Sequence, residues 1–398
     1  MKDWKLPAGY RFAGVHCGIR PGGEAGRLDL AVVASDRPAS AAGVFTCNRV
    51  VAAPVQVCRE RLPSATTRGI VICSGNANAC TGQRGLQDAR RMTSLLAECL
   101  GCDEPQALVC STGVIGRLLP MAEVEAGIRA AVPELTGTPE ALERAARAIL
   151  TTDTRIKVAA RSVLLAGKEV RIAGFAKGAA MIGPNMATLL AFVLTDAAVK
   201  QDDLRMLAAA AADRSFHCIS VEGHTSTNDT LLLLANGEGS PLQGDSLTVF
   251  AETVTEICAE LARAIPADAE GASHLIEIRA EGLASDNDAR QVARAVADSP
   301  LVKTAVFGAD PNWGRIVSAA GYAGVAFEET QLSLWLDDFL LYKDGAPVPF
   351  DAAAVSAHMK SHRELQLRLV FRIGQGKCTF FTSDLTYDYV RINAEYTT

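Results

Sequence analysis

This chain of 398 residues has no basic run, no long apolar stretch and few aromatic side chains, which make up 6% of it. Its formal net charge is -6, with 39 Lys and Arg against 45 Asp and Glu. That balance excludes the electrostatic footprint of a nucleic-acid groove or of a protein drawn to anionic membranes. No window approaches about 18 uninterrupted apolar residues, so no membrane-spanning helix is expected. The first residues, Met1-Lys-Asp-Trp-Lys-Leu-Pro-Ala-Gly9, lack the apolar core of a secretory signal and carry an acid where a transit peptide avoids one. The expectation is a cytoplasmic protein that acts on small molecules, with neither nucleic acid nor membrane as partner.

The cysteines exclude a further class. Eleven is an odd number, and several lie in runs such as Val71-Ile-Cys73 and Leu108-Val-Cys110 that look like buried strands. Reduced thiols acting as small hydrophobic residues fit this better than a disulfide scaffold. Cys99-Leu-Gly-Cys102 matches C-x-x-C, but it lies where a helical pattern runs into Gly101, a C-terminal cap signal. His358 and His362 have the i, i+4 spacing of a helical metal pair, yet the glutamate of H-E-x-x-H is missing, and a solvated helix face is the better reading. No metal site is expected.

What the chain does have is length, which at 398 residues gives an expectation of about two or three domains, and apolar residues, 49% of the total, ample for burial. Strand-like runs cover residues 69–73, 107–110, 169–175, 188–196, 230–235, 275–280 and 303–307. Helical periodicity covers residues 85–100, 121–132, 139–149, 202–213, 246–265 and 284–297. Thr138 and Pro139 give the best marked helix start, and another helix stops at Pro266. Residues 365–372, 378–382 and 387–392 read as strands of a closing antiparallel sheet, around the turn Gly374-Gln-Gly376. The pattern is α/β or α+β, with a smaller C-terminal domain from about residue 280.

Two loops follow apolar strands. Asn76, Asn78 and Thr81 occupy a small-residue loop in which backbone can approach a ligand or another loop closely. Ser111-Thr-Gly-Val-Ile-Gly116 can aim backbone N–H groups and the Thr112 hydroxyl at one point, as an oxyanion requires. The most informative stretch is Lys177-Gly-Ala-Ala-Met-Ile-Gly-Pro-Asn-Met-Ala-Thr188, because an apolar run, Leu189 to Leu194, begins directly after the threonine. Taken alone, Thr188 is most simply a residue that starts a strand. A hydroxyl at that seam can also attack the preceding carbonyl, open the chain between Ala187 and Thr188, and leave an α-amine as its own general base.

Further segments complete a pattern: Gly43-Val-Phe-Thr-Cys-Asn-Arg49, Ala52-Ala-Pro54, Thr151-Thr-Asp-Thr154, Thr225-Ser-Thr-Asn-Asp-Thr230, Gly308-Ala-Asp-Pro-Asn-Trp-Gly-Arg-Ile316 and Arg391-Ile-Asn-Ala-Glu-Tyr-Thr-Thr398. Together with the loops above, they closely resemble the ornithine acetyltransferase family of arginine biosynthesis, also called the bifunctional glutamate N-acetyltransferase or ArgJ family. The resemblance spans nearly the whole chain. It implies a DmpA/ArgJ-like layered sandwich of β-sheets and helices. It also implies a precursor that cuts itself into an α chain, residues 1–187, and a β chain, residues 188–398, that stay together, typically as α2β2.

The implied reaction moves acetyl from N2-acetyl-L-ornithine to L-glutamate, with acetyl-CoA as a co-substrate in bifunctional members and no bound cofactor. By the same resemblance Thr188 is the nucleophile, Thr112 and Gly113 form the oxyanion hole, and Thr151, Lys177, Thr188, Glu270, Asn393 and Thr398 line the substrate pocket. Charge suggests that Lys177 takes the substrate α-carboxylate and Glu270 the side-chain ammonium. Ala180, Gly183, Cys73 and His224 depart from residues common in that family. A paralogous acyltransferase, or an N-terminal-nucleophile amidase or aminopeptidase, is the alternative.

Overall fold

The structure, a computed structural model, describes residues 4–20, 26–183 and 189–395. The first half builds strands β1 (Tyr10–Val15), β2 (Leu30–Phe45), β3 (Ser64–Asn76), β4 (Ala107–Val114), β5 (Lys157–Leu165) and β6 (Lys168–Lys177), with helices α1 (Ala53–Arg61), α2 (Gly82–Leu100), α3 (Met121–Ala131) and α4 (Pro139–Ala148). Then come β7 (Leu190–Thr195), α5 (Gln201–Asp213), β8 (Thr230–Ala235) and α6 (Gly244–Ala264). The remainder builds β9 (Leu275–Leu283), α7 (Asp286–Asp298), α8 (Pro300–Phe307), α9 (Trp313–Gly321), β10 (Leu332–Leu336), β11 (Phe339–Lys343), β12 (Ala346–Pro347), α10 (Ala352–Ser361), β13 (Glu364–Phe371), β14 (Gly376–Ser383) and α11 (Tyr387–Glu395).

Eight strands form the first sheet, in the order β4-β3-β2-β8-β7-β6-β5, with β1 pairing β2. The β3/β4 and β7/β8 pairs are parallel, and the other pairs are antiparallel. Side chains alternate across a strand, and here both faces are covered. On β7, Ala191 and Val193 pack beneath α5 and α6, while Leu190, Phe192 and Leu194 join the core lined by α4. Phe192 stacks on Phe175 with ring centroids 4.9 Å apart. Double-sided burial explains why this strand reads as a continuous apolar run.

The second sheet runs β12-β11-β10-β13-β9-β14. It is mixed, because β13 lies parallel to β9 and β14 antiparallel to it, so the closing sheet is not purely antiparallel as expected. Two segments read as strands are helices. Residues 303–307 belong to α8, which Ser299 caps by accepting a hydrogen bond from the Val302 amide just ahead of Pro300. Residues 387–392 belong to α11, whose first turn is fixed by the Thr386 hydroxyl accepting from the Tyr389 amide at 3.0 Å. The expected helix signals do appear: Thr138 caps α4, and Gly101 ends α2 in the left-handed region. His358 is half-buried, bonded to Asp337 at 2.8 Å and stacked on His362, so its helix face is not simply solvated. Among the described residues no helix is long and apolar enough to cross a membrane.

Candidate active site

The site begins where β3 and β4 end side by side, Ser74 opposite Thr112 and Gly75 opposite Gly113. Gly113 has φ +131°, and a Cβ there would lie 2.4 Å from the Gly75 carbonyl carbon, so no other residue fits between the two loops. The asparagines of the first loop serve this packing. Asn76 Nδ2 donates to the Leu118 carbonyl at 3.1 Å, the Asn78 amide donates to Asn76 Oδ1 at 2.8 Å, and Thr81 Oγ1 donates to Asn78 Oδ1 at 2.7 Å. From the strand end on the other side, Asn228 Nδ2 donates to Ala77 O at 2.6 Å and Ser111 O at 2.8 Å. Nothing local in the sequence marks Asn228 as the brace of both loops.

Lys177, the last residue of β6, is buried, and its Nζ donates to Thr112 Oγ1 at 3.3 Å. Burial pushes the Lys177 ammonium below its ordinary value, against the pull of Asp153. Beneath it lies a charge network that sequence reading missed. Lys157 Nζ donates to Asp153 Oδ1 and to Asp268 Oδ2, each at 2.7 Å, with all three side chains buried. Asp153 also accepts from the amides of Gly178 at 2.6 Å and Thr151 at 3.2 Å, while Asp268 accepts from those of Thr154 and Arg155. Burial alone would raise the Asp153 carboxyl, but Lys157 and Lys177 hold it well below the usual carboxylate range. Buried ions are tolerable only when paired and hydrogen-bonded in this way.

A cavity of about 90 Å³ opens above the network. Thr112, Gly113, Thr151, Lys177, Glu270 and Asn393 all line it, together with Ala180, Met181 and the Ser226–Asn228 stretch. Glu270 is set by its amide, which donates to Ala179 O at 3.1 Å, and its Oε2 accepts from Asn393 Nδ2 at 3.0 Å. One pocket therefore holds a buried ammonium and a half-exposed carboxylate, with hydroxyls and a glycine turn between them. That suits a small zwitterionic ligand.

Thr188, Ala187 and Thr398 lie outside the described residues. The residues flanking 184–188 are held by the segment before β8. The Ile182 amide donates to Glu222 Oε1 at 2.5 Å, and Ile182 O accepts from the Val221 amide at 2.8 Å and the Gly223 amide at 3.1 Å. A Cβ on Gly183 would meet the Gly223 carbonyl carbon at 2.5 Å, so two departures from the family pattern, Gly183 and the neighbouring His224, pack backbone to backbone. On the far side, the Leu189 amide donates to the buried carboxylate of Asp229 at 3.0 Å. Burial raises the Asp229 carboxyl well above its ordinary value, and burial also raises that of Glu222, to about 8, with Glu270 and Asp298 adding to the shift.

The ArgJ family profile matches residues 11–398. The arginine biosynthesis bifunctional protein ArgJ of Rhodopirellula baltica is 45% identical over 99% of this chain and 96% of its own. The protein of the same name from Geobacter sulfurreducens is 46% identical over 98% of this chain and 99% of its own. Among solved structures, an arginine biosynthesis bifunctional protein ArgJ from Bacillus halodurans is 35% identical, with a TM-score of 0.49, and covers 52% of this chain and 98% of its own. An ornithine acetyltransferase complexed with ornithine, from Mycobacterium tuberculosis, is 34% identical with a TM-score of 0.41, covering 48% of this chain and 98% of its own. With the family's pattern running from residue 11 to the last residue, this chain belongs to the ArgJ family.

Proposed function

We propose that this chain is a self-cleaving N-terminal-threonine acetyltransferase of arginine biosynthesis, moving acetyl from N2-acetyl-L-ornithine to L-glutamate. Family membership supplies the reaction class. The observation that carries the site is the single pocket holding Thr112, Gly113, Lys177 and Glu270.

In this reading the Thr188 hydroxyl attacks the Ala187 carbonyl, the acyl group passes from nitrogen to oxygen as the peptide bond breaks, and water hydrolyses the resulting ester, leaving the Ala187 carboxylate on one fragment and a free Thr188 hydroxyl and α-amine on the other. The freed α-amine titrates near ~8 and takes the hydroxyl proton at neutral pH. Thr188 Oγ then attacks the acetyl carbonyl, and the negative charge on its oxygen is met by Thr112 and the Gly113 amide. The carbon–nitrogen bond breaks, ornithine leaves with the proton, and acetyl remains on Thr188. Glutamate enters the same pocket, and its amine attacks the acetyl ester, so the kinetics are ping-pong. Lys177 faces the α-carboxylate common to donor and acceptor, and Glu270, steadied by Asn393, faces the distal ammonium that only ornithine has. The bifunctional names of the relatives support acetyl-CoA as a second donor. The two fragments work together as a cytoplasmic α2β2 assembly.

The test is the mass of the purified protein. Two fragments of roughly equal size meeting at Ala187/Thr188 are expected, with Thr188→Ala remaining one chain and Thr188→Ser still cutting. Cleavage of Thr188→Ala at the same bond without added protease would overturn the nucleophile. A cleaved protein that cannot acetylate glutamate from N2-acetyl-L-ornithine would overturn the substrate.

A further inference from the structure

Away from the pocket, two thiols meet at the seam between the sheets. Cys218 closes the short 3-10 turn Phe216–Cys218 after α5, and Cys378 lies on β14. Their sulfurs are 3.8 Å apart, in van der Waals contact, and both are free. Cys218 is buried, and Cys378 is partly open to solvent. The surroundings are polar for a thiol pair. Arg290 of α7 stands 3.6 Å from Asp213, His217 Nδ1 is 2.8 Å from the same carboxylate, and the Asp213 carbonyl is 3.4 Å from the Cys218 sulfur. The hydrogen bond between the thiols favours the thiolate at Cys218 and keeps the proton on Cys378, and the Arg290 charge favours thiolate at both.

What makes this pair more than two neighbouring thiols is where their chain segments lead. Just after Cys218, Ile219 bridges to Phe381, and the Ser220 amide donates to Phe381 O at 3.0 Å. The same segment continues through the clamp on Ile182 to Ser226–Asn228 in the pocket wall, while β14 leads into α11, which brings Asn393 to the opposite wall. A bond between the sulfurs would tie those two walls at their bases.

We propose that Cys218 and Cys378 form a reversible disulfide, made by a low-molecular-weight disulfide such as oxidised glutathione, that fixes the seam beneath the pocket and slows its chemistry. Cys378, the more accessible thiol, passes its proton along the hydrogen bond to Cys218 and attacks one sulfur of the small disulfide, whose sulfur–sulfur bond breaks to release a small thiolate that takes that proton from Cys218 and becomes the first small thiol. The Cys218 thiolate then attacks the Cys378 sulfur, the second small thiol leaves, and the protein disulfide is complete. Two protein thiols have given up two protons and two electrons, and one small disulfide has taken them up to become two thiols. The sulfurs must approach by about 1.8 Å to reach bonding distance. Displacing a pocket wall by ~1 Å can cost about 100-fold in rate, so a several-fold fall in turnover is the expected readout.

The experiment treats the full-length protein with oxidised glutathione and maps its peptides without reduction. Expected are a linked pair of peptides carrying Cys218 and Cys378, its loss on adding dithiothreitol, and a several-fold fall in acetyl transfer that dithiothreitol reverses. Cys378→Ser, treated alike, should show neither the link nor the fall. Cys47 and Cys80, both exposed, report that the oxidant has acted. If those two become glutathionylated while no 218–378 link forms, the site is wrong. If the link forms and turnover is unchanged, its coupling to the pocket is wrong. The peptide map needs no activity, so it stands apart from any failure of the proposed acetyl transfer.

Discussion

Strand β7 is buried at all six positions, whereas β13 alternates, with Leu365, Leu367, Leu369 and Phe371 inward and Gln366, Arg368 and Val370 half-exposed between them. The first sheet is enclosed by helices on both faces, and the second packs its apolar face on α7, α9 and α10. The difference teaches where precision is needed. Lys177, Thr112 and Asn228 project from strand ends of the enclosed sheet or from loops next to them, so the double-sided core fixes their positions. Among the described residues, the second sheet reaches the pocket through its C-terminal extension, α11, which carries Asn393.

The sharpest break of that comparison is Phe192→Ala, which empties the stacked pair inside the enclosed sheet and should cost about 3–5 kcal/mol of unfolding free energy, read by urea denaturation. A loss no larger than that of a surface substitution would mean that the enclosed sheet is not the stiffer one. Thr112→Ala, on the same sheet, should separate function from stability. Turnover is expected to fall about 100- to 1,000-fold while folding loses only about 1 kcal/mol. Equal turnover in a cleaved, folded variant would remove Thr112 from the site.

Glu222 lies at the junction between the sheets, facing Lys303, Glu270 and Asp298, and its carboxyl sits near 8 rather than 4.5. Folded protein therefore holds a proton that the unfolded chain has released. The stabilisation is complete below pH 4.5 and is lost as the pH rises through 8. Between about pH 5 and 7.5 the native protein should lose on the order of 3 kcal/mol relative to Glu222→Gln; parallel stability curves for the two proteins would contradict this. Smallest of all is Arg368→Ala on the open face. Its guanidinium lies 4.6 Å from the Trp335 ring centroid, and its removal should cost about 0.5–1 kcal/mol in the same denaturation experiment.

The same contrast governs how much could be read from sequence. Leu189 to Leu194 was legible because a strand buried on both faces must be apolar throughout. Residues 387–392 misled because their alternation mimics a half-buried strand, while in α11 Tyr387 and Val390 point to solvent; the Thr386 cap was the available signal. For residues 303–307, Ser299-Pro300 was the overlooked helix start. Glycine and threonine motifs mark the pocket because close backbone approach leaves few residue choices. Its foundations are not legible that way. Lys157 and Asp268 are 111 positions apart, and Glu222 meets Ile182 across 40. Each looks like an ordinary surface charge until the fold buries it.

The strand order β4-β3-β2-β8-β7-β6-β5 has a manufacturing consequence. A chain opened between Ala187 and Thr188 would leave β7 and β8 on one fragment, yet β7 bonds to β6 and β8 bonds to β2, both on the other. The two strands are an inlay, gripped along both edges. Made from two separate genes, one fragment would expose apolar ribbons at residues 190–195 and 230–235, and the other would carry a gap of matching width, the conditions for aggregation. Such a protein has to be woven as one thread before it is cut, and an expression strategy that starts from the finished pieces should yield inclusion bodies rather than enzyme.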